Sequence, residues 1–328
     1  MFLFMSFIKK FLTPFTEEVI REDVISESCT EPVHLYPLNS SQNINNDFSI
    51  ISNEEDIYTE SIETNSATDL VNISANIQSS TSDKTECLTI ASYFKDNGIE
   101  LIFSDTKDVV APVESLAFSI AINYPRTKPF IRFLRDCITK KAFDFTYSIV
   151  SFSTGEKTAI ISLAEKLNEY GLISNYFHNK NNNTIKGAIS SCPRCINFIN
   201  GDFLELYAKS VTIGVIKKTA DKYNLDYEFY HNVHIIKDTE KHELDIVFRI
   251  GNQVFWGEIK SGEFDADKYR KIGIMMGVVP NKLILLAAEK SNDAAIVISH
   301  FYEYYCANIN TFKNTLIEMI DKAFEEEK

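Results

Sequence analysis

No stretch of this chain reaches the ~20 consecutive apolar residues that span a bilayer. Cysteines are few, and those at 29, 87, 137, 192, 195 and 306 are scattered. This excludes a disulfide framework and suits a reducing cytoplasm. Cys192-Pro193-Arg194-Cys195 has no second CxxC or HxxxH to complete a structural zinc set, so it reads as a surface loop. Positive charge is also scarce: 33 Lys and Arg against 46 Asp and Glu give a net −13, unpromising for a polyanion partner. The deficit is local, however. Residues 17–90 by themselves sum to −13, and from residue 91 onward the chain is nearly neutral.

Internal repeats are absent too. What is present divides the chain at 1–16, 17–86, 87–200 and 201–328. Phe4, Phe7, Phe11 and Phe15 recur at helical spacing, with Lys9 and Lys10 off that stripe. The order of charge and apolar residues is wrong for a secretory signal. The pattern predicts a short amphipathic peptide that touches a membrane surface, a partner or its own protein. Residues 17–86 are polar, acidic and aperiodic, which predicts a disordered linker.

From 87 the pattern changes. "LTIASYFKDNGIELIF" predicts a short helix, a turn and a strand. In "KPFIRFLRDCITKKAF", Phe130, Phe133, Leu134, Cys137 and Ile138 share a helical face. The next helix is capped at Ser153 or Thr154 and ends at Gly171. An Asn-rich hairpin follows. Helix, helix, helix, hairpin predicts a winged-helix-like α+β module. His178, Lys180 and Lys186 stand near its wing tip, where they can meet phosphates. Winged helices also serve as dimer modules, so DNA contact and a homodimer both stay open for this segment. Residues 201–328 read α-β-β-β-α-β-α, an α/β arrangement with helices packed on a mixed sheet.

The stretch "HELDIVFRIGNQVFWGEIKSGEF" is apolar on both faces yet holds Asp245, Glu258 and Lys260. Gly251-Asn252 is a hairpin turn signal. Pairing across it sets Ile250 against Gln253, Phe248 against Phe255 and Asp245 against Glu258. Opposed like charges destabilise a sheet. Period two adds Lys260 to the same face. A divalent cation resolves the conflict, because Mg²⁺ accepts one or two carboxylates with waters and phosphate oxygens. A salt-bridged pair at a sheet edge is the plainer alternative.

Asp, Glu and Lys in this order resemble the PD-(D/E)XK, or restriction-endonuclease-like, nuclease superfamily. Glu243-Leu244-Asp245 stands at its metal-binding aspartate and Glu258-Ile259-Lys260 at its ExK, although Leu244 replaces the proline of its PD element. With "GDFLE", the series is similar to nuclease domains of CRISPR-associated ancillary effectors. The resemblance implies a restriction-endonuclease-like sheet and phosphodiester hydrolysis, of DNA rather than RNA. It further implies Mg²⁺, with Mn²⁺ as a substitute, held by Asp245, Glu258, the Ile259 carbonyl and Glu205. Lys260 would assist the attacking water, and Lys268, Arg270 and Lys271 would touch the nucleic-acid backbone. The competing expectation is a non-catalytic nucleic-acid or protein binding module that keeps the fold. A third is a defence effector whose trigger binds at 87–200. No chemistry is expected of His231, His234 or His242.

Overall fold

The computed structural model describes residues 88–102 and 110–326. The peptide at 1–16 and the acidic linker at 17–86 lie outside the described residues. At the centre is a hairpin of β6 (Glu240–Ile250) and β7 (Gln253–Lys260). Gly251 adopts φ +56° in its turn, and a Cβ there would come within 3.3 Å of Leu225. Backbone and space both favour glycine. Ile250 pairs with Gln253 and Phe248 with Phe255, the register expected from the turn signal. The two phenylalanine rings stack with centroids 4.9 Å apart. Such a pair contributes about 0.5–1.5 kcal/mol beyond its buried area.

β5 (Tyr227–Lys237) lies antiparallel to β6, and the short β1 (Glu100–Ile102) lies antiparallel to β5. On the other side β8 (Leu283–Ala287) and β9 (Tyr305–Ala307) continue from β7 in parallel. The result is a mixed sheet of six strands in the order β1-β5-β6-β7-β8-β9. Helices α6 (Phe203–Tyr223) and α9 (Phe312–Glu325) supply Phe203, Ile216, Leu316 and Ile320 to a core with Ile246, Phe248 and Phe255. Helices α1 (Ile90–Asp96), α7 (Ala266–Met275) and α8 (Asn292–Tyr302) cover the opposite face, over Val247, Val254 and Trp256. Burial on both faces explains why β6 and β7 read as nearly continuous apolar runs. At the turn end, Arg249 is only 2% exposed. It is held by Asp226 at 2.7 Å and Glu228 at 3.2 Å.

Between β1 and α6 the chain forms α2 (Ala111–Ile122), α3 (Tyr124–Thr139), β2 (Asp144–Ser148), α4 (Thr154–Glu169), β3 (Ile173–Asn179) and β4 (Thr184–Ile189). The three strands make a separate antiparallel sheet, β2-β4-β3. Ser153 caps α4 by accepting from the Glu156 N–H, while the Glu156 carboxylate accepts from the Ser153 N–H. Gly171, at φ +73°, follows its end. β2 was not expected. It carries one buried side chain, Phe145, which is too little for a periodic signal.

Residues 88–102 do not belong with the three-stranded module. Glu100–Ile102 pair with β5, the Ile90 N–H donates to Glu228 Oε2 at 3.0 Å, and Ile90, Phe94 and Ile99 are buried over the six-stranded sheet. Cys192-Pro193-Arg194-Cys195 is not a loop but the start of a short helix, α5 (Pro193–Asn197). A π-helical turn, Phe198–Asp202, then leads into α6. The division expected near residue 200 crosses one continuous core that includes Leu134, Phe145, Ile160, Phe203 and Phe248. Among the described residues, no helix is long and apolar enough to cross a membrane.

Candidate active site

Pairing between β6 and β7 stops at Ile246 and Gly257. Beyond that point the Ile259 N–H donates to Asp245 Oδ2 at 2.7 Å, so a carboxylate substitutes for the missing ladder partner. Glu258 precedes Ile259, and Lys260 follows it. Lys260 Nζ lies 2.5 Å from Glu258 Oε1 and 3.4 Å from Asp245 Oδ2. Asp245 is 9% exposed and Glu258 5%. The salt bridge weighed as an alternative is therefore present, but not at a sheet edge. β7 lies between β6 and β8, and the site stands at the carboxyl ends of the parallel strands β7 and β8. Such ends are where α/β sheets gather ligands.

One ammonium shared by two buried carboxylates leaves negative charge uncompensated. Burial, then Asp245, pushes the Glu258 carboxyl up to about 8 despite Lys260. Burial also raises Asp245, against the pull of Lys260 and the Ile259 N–H. Burial opposes the charge on Lys260, yet Glu258 and Asp245 outweigh it and raise the ammonium pKa. Glu258 Oε2 is buried with no hydrogen-bond partner. Two buried carboxyls that disfavour each other's ionisation, one of them with an unpartnered oxygen, form a donor pair whose ionisation a cation would favour.

Glu205 lies in the first turn of α6, close enough for Asp245 and Lys260 to act on its carboxyl. Burial, then Asp245 and Asp202, pushes its carboxyl up to about 7. Among the described residues, however, no group of three or more acidic, cysteine or histidine side chains is gathered tightly enough to chelate a metal. Glu205 is thus close enough to feel Asp245 and Lys260, outside any tight cluster of three such side chains. The donor set that does converge, two carboxylates, still fits Mg²⁺, which completes its octahedron with waters and phosphate oxygens. Ile259 contributes its N–H to Asp245.

The expected backbone-contacting residues scatter. Lys268 lies close enough to lower the Glu258 pKa, with its ammonium 5.8 Å from the Tyr269 ring. Arg270 instead pairs with Glu303 at 3.6 Å, and Lys271 with Asp267 at 2.5 Å. Lys180 and Lys186 are exposed on the β3–β4 hairpin. Tyr269 went unassigned in the sequence. Its buried ring sits 5.6 Å from Lys260 Nζ and packs against Trp256. Its only advance signal was an aromatic residue in the first turn after the ExK strand.

No family model matches the sequence, and no curated protein matches it. Solved structures do share the fold. Protein VC1899 from Vibrio cholerae aligns with a TM-score of 0.50 at 16% identity, over 74% of this chain and 63% of its own. Can2 from Sulfobacillus thermosulfidooxidans, solved in complex with cyclic tetra-adenylate, aligns with a TM-score of 0.50 at 17% identity, over 71% of this chain and 61% of its own. The chain thus spans less than two thirds of the length of either protein, and what it shares with them is the fold.

Proposed function

We propose that the protein is a Mg²⁺-dependent phosphodiester hydrolase of the PD-(D/E)XK type, acting on nucleic acid, with DNA favoured. The observation that carries this reading is the buried Asp245–Glu258–Lys260 cluster, with Glu258 Oε2 unpartnered, at the carboxyl ends of β7 and β8. Asp245 and Glu258 are the residues that would hold the cation. Bound there, Mg²⁺ would offset phosphoryl charge and make water easier to deprotonate. Lys260 is ammonium at neutral pH, since two carboxylates raise its pKa. It donates hydrogen bonds to the attacking water and to phosphoryl oxygens, and it is not the base. Glu205, titrating at about 7, is suited to accept the proton that water loses. The α2–α4 region with β2-β4-β3 is read as a winged-helix-like module whose hairpin presents Lys180 and Lys186 to phosphates. The cyclic tetra-adenylate in Can2 does not by itself carry over to this chain at 17% identity.

Lys260→Ala tests the assignment. We expect loss of cleavage of linear or circular DNA in Mg²⁺ or Mn²⁺, with DNA binding in EDTA retained. Asp245→Ala and Glu258→Ala should lose cleavage and also Mg²⁺ binding by calorimetry. A Lys260→Ala protein that cleaves like the wild type would reduce the cluster to an ion pair within the sheet.

A further inference from the structure

On α3, Lys128, Arg132 and Arg135 recur at helical spacing on one face and converge on a single carboxylate, Glu289. Lys128 Nζ lies 3.8 Å from Glu289 Oε2, and Arg132 Nε donates to that oxygen at 2.8 Å. Arg135 Nη1 donates to Glu289 Oε1 at 3.3 Å, and the Tyr124 hydroxyl donates to the same oxygen at 2.9 Å. Three cations therefore surround one anion. Counting Asp136 as well, whose charge Arg132 also feels, positive charge is still left over.

The cluster adjoins the candidate active site. Arg135 Nη1 reaches the Ser261 carbonyl at 3.5 Å, and Ser261 follows Lys260. The Ala288 N–H donates to the Lys260 carbonyl at 3.0 Å, and Glu289 follows Ala288. Arg135 Nε donates to the Ile199 carbonyl at 3.0 Å, which fixes the guanidinium. Its Nη2 is buried with no partner, an unused donor at the near end of the cluster. Arg132, the middle residue of the three, is half exposed, and Lys128 beyond it is mostly covered. The three side chains thus run along α3 from the Lys260 strand end past Glu289, with Arg132 the most open to solvent.

We propose that Lys128, Arg132 and Arg135 form a phosphate-binding rail that receives the nucleic-acid backbone beside the scissile phosphate, with Glu289 holding the cations side by side. The ligand class is a polyanionic phosphodiester strand, and the assignment rests on the hydrolase reading above. Arginine forks suit phosphate oxygens. A rail of this kind would let a nearly neutral ordered region bind a polyanion without a large basic surface.

The test uses the full chain and oligonucleotides of one sequence, as single-stranded DNA, duplex DNA and RNA. Binding is measured in EDTA across a salt series. Lys128→Gln combined with Arg132→Gln spares Arg135, which anchors neighbouring backbone. We expect at least tenfold weaker binding and a salt slope shallower by about 0.7 per lost contact on single strands, or about 0.9 on duplex. Lys128→Arg combined with Arg132→Lys keeps both charges and should keep the slope. If the Gln pair leaves affinity and slope unchanged, or if the wild type binds none of the oligonucleotides, the rail is wrong. The hydrolase reading is judged separately, by cleavage in Mg²⁺. Rail-dependent binding without any cleavage would overturn that reading and leave the rail standing.

Discussion

Glu258 brings two demands into conflict at one residue. As a carboxylate it can hold a cation, but with no cation bound its burial and the neighbouring Asp245 make ionisation costly. Its folded pKa, about 8, lies above the ordinary carboxylate value. A carboxyl raised on folding leaves stability intact below its unfolded pKa and removes it as pH rises through the folded pKa. Metal-free protein should therefore lose stability between about pH 4.5 and 8 through this group, and Glu205 adds to the loss up to about 7. Glu258→Gln should melt close to the wild type at pH 5 in EDTA, and several degrees above it at pH 8. About 1 kcal/mol corresponds to roughly 2–4 °C for a domain of this size. Added Mg²⁺ should raise the wild-type Tm at pH 8 and leave Glu258→Gln unmoved. Scanning calorimetry at the two pH values decides it; a variant that melts lower at both would mean that the ion pair with Lys260 outweighs the repulsion.

At the scale of the element, the β6–β7 hairpin bears charge at both ends for different reasons. At the turn end Arg249 is paired with Asp226 and Glu228, and Glu228 also accepts the Ile90 N–H of α1. At the open end the two acids share one lysine and an oxygen is left over. The first arrangement sets two acids on one guanidinium, and the second sets two buried acids on one ammonium. Arg249→Leu should destabilise by roughly 1–3 kcal/mol, less than a fully buried pair would lose because Asp226 reaches solvent. It should leave turnover per folded molecule unchanged. Urea unfolding with parallel cleavage assays measures both, and loss of cleavage in well-folded Arg249→Leu protein would tie the turn end to the chemistry.

For the molecule as a whole, the structural unit around the site begins upstream of the three-stranded module. β1 closes the β5 edge, and α1 buries Ile90 and Phe94 over the same sheet. Removing residues 17–86 should leave cleavage within a few-fold, and affinity for DNA should rise as acidic charge near a polyanion is lost. A chain beginning at 110 lacks α1 and β1 and leaves the apolar surface over Val233 and Ile235 uncovered. It should unfold at much lower temperature or aggregate. Thermal unfolding of the two truncations, made side by side, gives the comparison. Equal stability would return residues 88–102 to a peripheral role.

The elements with strong periodic signals were legible in the residues. The stripe on α4, its Ser153 cap, the Gly251 turn and the Phe248–Phe255 register all rest on local rules that act within a few residues. The same register drew attention to Asp245, Glu258 and Lys260 before any contact was known. Short or edge elements were not legible. β2, β9 and α8 escaped notice because β2 buries little, β9 spans three residues, and α8 leaves Ile296, Val297 and Phe301 exposed where an apolar stripe should face inward. The placement of β1 on β5 is a pairing between distant segments, and local pattern carries no information about it. The cluster around Glu289 was invisible for the same reason. Lys128, Arg132 and Arg135 look like solvated charges on α3 until the end of β8 brings a carboxylate 154 residues from Arg135 into contact with them. Side-chain periodicity is a short-range property written along the chain. Which charges meet depends on how strands pair and helices pack, and that is decided only when the chain closes on itself.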